Sequence, residues 1–322
     1  MKTSEGDGLL PEGVVTEVAG VSYIVSAEDG SVFRSRTFSG TKTENGDSSL
    51  VAVGDRVLLK ATESGSDMRE AIISKVMLRR SVLERKRDIR RNRSKEKVQV
   101  IAANIDLLVV VVSAFEPPLS PRLIDRYLVF AESEQLETLI VVNKMDLEDT
   151  GETRDIMNLY DSLDYRVMYT SSMDPDSILP LSDALAGRVS AFSGHSGVGK
   201  STLINMLIGK ELLRTGETSM KSGKGVHTTS SAVMEPLPGG GFVIDTPGIR
   251  EFNLSGITRE NLRFYFREFA PCMPDCTYSS CTHTVEPGCG VRRAAENGYI
   301  DSSRYESYLV ILDSLDDENR FD

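Results

Sequence analysis

A glycine-rich segment near the middle of the chain has the spacing of a phosphate-binding loop. It matches G-x-x-x-x-G-K-[ST] at every fixed position, between an apolar stretch (189–192) and a run with helical spacing. Glycine lets backbone N–H groups approach phosphate oxygens, and the following helix adds its N-terminal dipole. We expect Lys200 to neutralise β- and γ-phosphate oxygens and Ser201 to hold Mg²⁺. The predicted phosphate contacts are Gly194, His195, Ser196, Gly197, Val198, Gly199, Lys200, Ser201 and Thr202.

Two more polar motifs follow apolar strand patterns. Asp146 ends the motif Asn143-Lys144-Met145-Asp146, and Asp245 follows the stretch 242–244. A carboxylate at Asp146 can accept two N–H bonds from guanine that adenine cannot offer, so the motif favours GTP over ATP. A helix cap after a strand is the alternative interpretation of this tetrapeptide. The predicted guanine contacts are Asn143, Lys144, Asp146, Ser171 and Ser172, the two serines through their backbone N–H groups.

The order of these motifs along the chain is unusual. The base motif comes first, then Ser171-Ser172, then the phosphate loop, and finally Asp245-Thr246-Pro247-Gly248. Ordinary GTPases carry the phosphate loop first, so this order is a circular permutation. Only a few lineages of the large GTPase superfamily carry their motifs in this order. We expect Asp245 to reach Mg²⁺ through water and the Gly248 N–H to contact the γ-phosphate.

A polar, glycine-rich stretch at 223–229 has no apolar period and has the character of a mobile loop. One of its threonines, Thr228 or Thr229, is the expected switch ligand of Mg²⁺. Ile249 stands where many GTPases place a glutamine that orients water, so we expect a slow intrinsic rate. His227 is the candidate replacement, and an exposed loop imidazole is its alternative interpretation. The predicted catalytic set is Lys200, His227, Thr228, Thr229 and Gly248.

All four cysteines lie between Cys272 and Cys289, and one of the three histidines is among them. Three thiols and an imidazole form a closed set suited to structural zinc. Cys272 could replace one of them, so the ligands are not unique. Two disulfides are disfavoured because the N-terminus lacks an apolar signal core. The predicted zinc ligands lie within Cys276-x4-Cys281-x-His283-x5-Cys289.

Five short alternating segments separated by turn residues predict a small β-barrel near the N-terminus. Farther along, apolar strands alternate with helical stretches, which predicts a mostly parallel α/β sheet with ligands at the carboxyl ends of its strands. Ser120-Pro121 marks one helix start, and another helix is expected around 260–269. The predicted barrel strands are 14–18, 23–25, 32–38, 56–60 and 71–76, and the sheet strands are 105–112, 139–142, 166–169, 189–192 and 242–244.

The most basic stretch joins these two regions. Between Lys75 and Lys97 there are eleven Lys/Arg residues and three acidic ones, a local charge of +8 in a chain whose formal net charge is −11. The remainder carries −19, so the positive charge is segregated, which suggests contact with an RNA backbone. A solvated linker is the alternative. No apolar run approaches the ~18 residues of a membrane span.

These motifs, with Gly54-Asp55-Arg56-Val57, 102–106, 125–128 and 281–289, resemble the ribosome small-subunit-dependent GTPase family (RsgA, also called YjeQ or YloQ) over nearly the whole chain. The resemblance implies an α/β fold: an N-terminal OB-fold, a circularly permuted P-loop GTPase domain and a C-terminal helical zinc domain. It also selects Cys276, Cys281, His283 and Cys289 as the zinc ligands. The expected segments are a flexible N-terminus (1–9), an RNA-binding OB-fold (10–78), a basic linker (79–97), the GTPase domain (98–254) and the zinc domain (255–322).

The resemblance implies a GTP hydrolase that acts in late maturation of the small ribosomal subunit. It is expected to be a cytoplasmic monomer that does not associate with a membrane. The subunit stimulates hydrolysis, the protein binds ribosomal RNA, and hydrolysis is coupled to its own release or to release of assembly factors. The alternative is a GTP-dependent ribosome-binding module in which hydrolysis is only a timer. Asp146 and the permuted order oppose a third class, a metabolic P-loop kinase. The implied cofactors are one structural zinc, and magnesium with GTP.

Overall fold

The computed structural model describes residues 12–45, 51–61, 69–86, 98–147, 151–209, 233–245, 254 and 256–319. The chain divides into two compact units. The first comprises Met1–Asp106, Leu185–Ala191 and Ser219–Ile249, and the second comprises Leu107–Ala184, Phe192–Thr218 and Arg250–Asp322. Throughout the described ranges, every helix is too short or too polar to cross a membrane.

The first unit begins with a β-barrel. Its strands are β1 (Glu12–Ala19), β2 (Ser22–Ala27), β3 (Val32–Arg36), β4 (Lys42–Thr43), β5 (Arg56–Ala61) and β6 (Arg69–Val76). Antiparallel pairing joins β1 to β2 and β5, β2 to β3, and β5 to β6, whereas β3 and β6 are parallel. These pairings close the ring β1-β2-β3-β6-β5-β1, with β4 added beside β6. This connectivity is that of an OB-fold, which confirms the predicted barrel.

The alternation of side chains along the strands builds the barrel core. In β3, Phe33 and Ser35 are buried, while Val32, Arg34 and Arg36 point outward. Successive strand residues point to opposite faces, so the sequence pattern alone separates inside from outside. The outer face of β3 is therefore basic. The main core side chains are Val15, Val25, Phe33, Val57, Leu59, Ile73 and Val76.

A buried junction just before β5 joins Gly54-Asp55 to Ala103 and involves two segments of the family resemblance. Gly54 has φ +86°, and a Cβ there would lie 2.1 Å from the Ala103 carbonyl oxygen. The next residue, Asp55, pairs with Arg79 through two bonds of 2.7 Å, and the two side chains are 0% and 3% exposed. Arg79 therefore neutralises a buried carboxylate and is not presented to a phosphate.

The segment predicted as a basic linker contains a strand. β7 (Val82–Lys86) pairs antiparallel with β8 (Val98–Ala103). The sequence predicts a linker here because local composition cannot show that a strand pairs with another strand more than ten residues away. Residues 87–97 lie outside the described ranges.

The rest of the first unit consists of strands from later in the chain. β12 (Val189–Ser193) begins in this unit, and Asp106 accepts a 2.9 Å hydrogen bond from the Val189 N–H. β13 (Val233–Pro236) and β14 (Phe242–Asp245) form an antiparallel pair, and β13 pairs with β1. The sequence pattern predicts β12 and β14 but not β13.

The second unit contains a parallel sheet of β9 (Leu107–Ser113), β10 (Glu137–Asn143) and β11 (Arg166–Tyr169). All seven residues of β9 are buried, as expected for a strand covered on both faces. Ser113 is in register with Asn143 at the carboxyl ends of β9 and β10. Polar residues that follow the strands thus meet at one edge of the sheet.

Four helices accompany this sheet: α1 (Pro121–Ser133), α2 (Glu152–Ser162), α3 (Leu179–Leu185) and α4 (Lys200–Ile208). Pro121 begins α1 as predicted, because its fixed φ suits the first helical turn. Ser120 precedes it, but its side chain makes no capping hydrogen bond.

The C-terminal part of the second unit contains α5 (Gly290–Glu296) and α6 (Ser302–Asn319). The helix predicted around 260–269 is wrong: two short 3-10 helices, Leu262–Tyr265 and Arg267–Phe269, take its place. Phe266 interrupts them with an extended backbone, at φ −109° and ψ 103°. The helix breaks just before Arg267 and Glu268, whose side chains make long-range contacts. Local helix propensity does not encode such contacts.

Those contacts connect α6 to α1. Arg304 on α6 is 1% exposed and donates to Asp125 at 2.5 Å and to Glu268 at 2.7 Å. Tyr160 donates to the same Asp125 oxygen at 2.9 Å. Burial raises the pKa of Asp125, against the lowering effect of Arg304. Arg267 adds a second contact, 2.7 Å from Glu132 on α1. The contacts between α1 and α6 lie within one compact unit. The domain boundary predicted between residues 254 and 255 stays a prediction.

Candidate nucleotide site and metal centre

The phosphate loop connects β12 to α4, which begins at Lys200. Gly199, just before the helix, has φ +93°, and a Cβ there would lie 2.3 Å from the side-chain nitrogen of Asn143. Lys200 donates from Nζ to the carbonyl oxygens of Gly194 and His195 at 2.7 and 2.9 Å. The loop is therefore folded around its own lysine, and Ser201 and Thr202 lie in the first turn of the helix.

Asn143 joins the base motif to the phosphate loop. Its side-chain amide is buried and donates to the Val198 carbonyl at 2.9 Å. Thr170, at the end of the next strand, donates to the Asn143 amide oxygen at 3.2 Å. The structure thus brings together two motifs that are more than fifty residues apart and in permuted order. Thr170 is a supporting residue that the sequence analysis missed, because no motif pattern includes it.

Asp146 is exposed at the strand edge and accepts a short hydrogen bond from the Ser171 hydroxyl. The Ser171 N–H donates to the Ser177 hydroxyl at 2.9 Å, so this N–H is already bonded within the loop. Ser171 acts through its hydroxyl on Asp146, and Ser172 follows it in the same loop. The sequence analysis missed Ser177, a hydroxyl six residues along the chain.

Several predicted residues fall in parts of the chain that the structure does not describe. His227, Thr228, Thr229, Gly248 and Ile249 lie outside the described residues. Asp245 is the last residue of β14, as predicted from the apolar stretch before it.

The metal centre lies in the C-terminal part. Cys276, Cys281, His283 and Cys289 place their ligand atoms within 4.8 Å of one another, and three of the four are buried. His283 Nδ1 lies 3.6 Å from the Cys276 sulfur and 3.4 Å from the Cys289 sulfur. A tetrahedral zinc ion, about 2.3 Å from sulfur and about 2.0 Å from nitrogen, holds such atoms roughly 3.5 Å apart. The donor set fits that ion, and Cys272 is outside it.

Backbone groups support two of these sulfurs. The Gly290 N–H donates to Cys276 and the Arg292 N–H donates to Cys289, both at 3.3 Å. Burial raises the pKa of the Cys281 thiol to about 12 and lowers the pKa of His283 to about 4. Burial thus favours neutral ligands, and a bound dication reverses that preference for the thiols, since it stabilises thiolates directly.

Glu286 organises the loop that carries His283. It accepts hydrogen bonds from the Thr282 N–H and hydroxyl, both at 2.6 Å, and from the Thr284 N–H at 2.9 Å. Two tyrosines of α6 bind the same loop: Tyr305 donates to the His283 carbonyl at 2.6 Å and Tyr308 to the Thr282 carbonyl at 2.7 Å. The spacing of cysteines gives no sign of these supports, which sequence analysis missed.

Known proteins resemble this chain over nearly its full length. A family model described as RsgA GTPase matches residues 82–255. The chain belongs to the RsgA GTPase family. It is 60% identical to the small ribosomal subunit biogenesis GTPase RsgA of Chlorobaculum parvum, over 95% of this chain and 98% of that protein. The predicted resemblance is confirmed.

Solved structures agree with the RsgA assignment. YjeQ from Thermotoga maritima has a TM-score of 0.72 at 32% identity and covers 95% of this chain and 98% of its own. YloQ, described as a circularly permuted GTPase, has a TM-score of 0.73 at 25% identity and covers 98% and 99%. The fold class and the circular permutation predicted from motif order are confirmed. As an RsgA GTPase, the protein hydrolyses GTP.

Proposed function

We propose that this chain hydrolyses GTP during late maturation of the small ribosomal subunit, that the subunit stimulates hydrolysis, and that hydrolysis releases this protein or other assembly factors. The bond from Asn143 to the Val198 carbonyl carries the enzymatic part, because it builds one nucleotide site from the permuted motifs. The ribosomal part is supported by the 60% identical relative, whose name is small ribosomal subunit biogenesis GTPase RsgA. A binding module with hydrolysis only as a timer is not favoured.

In the proposed site, Asp146 accepts the guanine N–H groups while Ser171 fixes the orientation of its carboxylate. The Ser172 N–H meets the guanine carbonyl oxygen, and the loop 194–202 encloses the phosphates. Ser201, Asp245 and Thr228 or Thr229 would hold magnesium, which neutralises phosphate charge when bound. Gly248 contacts the γ-phosphate, and His227 orients the attacking water in place of the glutamine that Ile249 replaces.

The metal that fits the Cys₃His set is zinc, in a structural role. The four ligand atoms would fill every position of a tetrahedral ion and leave none for substrate. The buried thiols and the N–H groups that donate to sulfur support this assignment.

The proposed RNA contacts are to phosphates of ribosomal RNA. Arg34 and Arg36 point outward from β3 of the barrel, and eight further basic residues lie between 85 and 97. The concentration of basic residues between 85 and 97 in an acidic chain, together with the basic outer face of β3, supports recognition of an RNA backbone. We place the protein in the cytoplasm as a monomer, in keeping with a role on ribosomal subunits.

GTP turnover measured with and without purified small subunits tests this proposal. We expect slow release of phosphate by the protein alone and faster, multiple turnover with the subunit. Large subunits, added at the same concentration and salt, are the control. Equal turnover under all conditions would contradict the ribosomal part and leave the GTPase assignment intact.

A further inference from the structure

The segment from Ser113, the last residue of β9, to Pro117 (the Ser113–Pro117 loop) lies beside both motifs of the proposed nucleotide site. At its start, the Ala114 N–H donates to the Asn143 carbonyl at 3.0 Å. At its end, Pro117 Cδ lies 3.7 Å from the position that a Cβ on Gly197 would occupy. The loop is therefore hydrogen-bonded to the base motif on one side and lies beside the phosphate loop on the other. No phosphate or guanine motif includes it.

Within this loop, one carbonyl group holds the lysine of the base motif. Lys144 Nζ donates to the Glu116 carbonyl oxygen. Glu116 has φ +46°, a left-handed conformation that turns its carbonyl toward the lysine, while its own side chain is exposed. The ammonium group is thereby fixed at the far end of four methylene groups, on a residue two positions before Asp146 in sequence.

Ser113 bonds to the backbone beside this carbonyl. It is 1% exposed, and its hydroxyl donates to the Phe115 carbonyl and contacts the Glu116 carbonyl at 3.4 Å. The single hydroxyl proton goes to the Phe115 carbonyl, so Ser113 ties down the backbone immediately before Glu116. Because Ser113 is buried and bonds to the loop backbone, its effect on nucleotide binding would be indirect.

We propose that the Ser113–Pro117 loop is a third element of the nucleotide site, in which Ser113 positions Lys144 through the Glu116 carbonyl. With its ammonium anchored, the methylene chain of Lys144 presents a flat apolar surface beside the base that Asp146 binds. Anchoring before the nucleotide arrives removes an ordering cost from binding. Ser113 is a positioning residue for GTP and GDP, and this role rests on the GTPase site rather than on the ribosomal part of the proposed function.

Calorimetric titration of GDP into the magnesium-containing full chain, without ribosomal subunits, tests this role. We expect Ser113→Ala to weaken GDP binding about tenfold and Ser113→Thr, which keeps the hydroxyl, to recover most of it. In a Lys144→Met background, which keeps an unbranched chain without the ammonium, Ser113→Ala should cause no further loss. Ser133→Ala is the matched control, since Ser133 also donates to a backbone carbonyl, at 2.8 Å on α1.

An equal loss from Ser113→Ala with and without Lys144, or no loss at all, would overturn the proposal. If Ser113→Ala fails to fold, two substitutions at Glu116 that differ in backbone strain test the proposal instead. Valine is strained at the left-handed φ of Glu116 and glycine is not, so Glu116→Val should bind GDP several-fold more weakly than Glu116→Gly. Equal affinities for that pair would equally exclude a role for the Glu116 carbonyl.

Discussion

In the proposed nucleotide site, Asp146 is exposed and Lys144 is partly exposed, whereas three of the four candidate ligands of the proposed metal centre are buried. The nucleotide motifs are joined by single hydrogen bonds between loops, such as the one from Asn143 to Val198. The metal ligands form a complete set within fourteen residues of sequence, braced by Glu286 and by two tyrosines of α6. A site that exchanges its ligand must stay open, and a site that stabilises a fold is closed around it.

The largest expected effect concerns the closed site. Cys281→Ser should remove the metal and lower the stability of the C-terminal part by roughly 5 kcal/mol or more, because zinc binding can supply about 10–16 kcal/mol to small folds. Elemental analysis should find about one zinc in the parent protein and none in the variant. GDP affinity should change by less than about threefold.

Cys272→Ser is the control for this experiment, because Cys272 lies outside the ligand set. It should retain the zinc. A folded parent protein without metal, or loss of metal from both variants, would contradict the Cys₃His assignment.

The second effect tests how firmly the C-terminal part is attached to α1. Arg304→Met leaves Asp125 and Glu268 buried without their cation, which should lower the unfolding free energy by about 3–5 kcal/mol. Urea unfolding followed by circular dichroism measures this. Arg122→Met removes an exposed pair with Glu306 at 3.9 Å and should cost less than about 1 kcal/mol. If Arg304→Met and Arg122→Met lowered the unfolding free energy equally, burial of the Arg304 ion pairs would add nothing to stability.

On the open side of the comparison, His227→Ala should reduce the subunit-stimulated GTPase rate about 100-fold, or about 2.7 kcal/mol in activation free energy. GTP affinity should stay nearly unchanged, because the contact is made only in the transition state. Single-turnover phosphate release at saturating subunit is the measurement.

Charge reversal at Arg90 and Arg91 should behave differently from His227→Ala. It should weaken subunit binding, with a larger loss relative to the parent at low salt than at high salt, and leave the unstimulated rate unchanged. For His227→Ala, the contradicting outcome is a subunit-stimulated rate equal to that of the parent protein. That result would assign the catalytic role to the ribosome or to backbone groups.

A smaller effect tests the guanine contact. Asp146→Asn should weaken GDP binding by about 1–3 kcal/mol and shift preference toward xanthine nucleotides, because an amide cannot accept both guanine N–H groups. Competition between GDP and XDP measures the shift. Asp155→Asn, at an exposed position on α2, should leave the preference unchanged. Retained GDP affinity in Asp146→Asn would remove this carboxylate from the base pocket.

The smallest effect concerns pH at the metal loop. Burial raises the pKa of Glu286, but hydrogen bonds from Thr282 and Thr284 outweigh it and lower the pKa to about 2. The carboxylate therefore stabilises the fold above its unfolded pKa of 4.5, and that stability is lost as pH falls toward 2. Glu286→Gln should cost about 1 kcal/mol at pH 7, and this difference from the parent should shrink between pH 4.5 and 2. A difference independent of pH would show that the charge is irrelevant.

The sequence by itself determined the motifs whose chemistry is local. The phosphate loop, the base motif, the order that marks the permutation and the cysteine spacing are each contained in a few residues, and their strands could be predicted from apolar runs next to them. It also placed the start of α1, because Pro121 fixes its own backbone angle.

Only the tertiary structure decided which residues support those motifs. Ser113, Thr170 and Ser177 make hydrogen bonds through their hydroxyl groups that no sequence motif marks. The same holds for Arg304, which reaches Asp125 across 179 residues of sequence, and for Arg79, whose charge the sequence assigns to RNA and the fold uses to neutralise Asp55. A charged side chain can satisfy any partner that folding brings within about 3 Å, so its role depends on long-range packing and not on its neighbours in the chain.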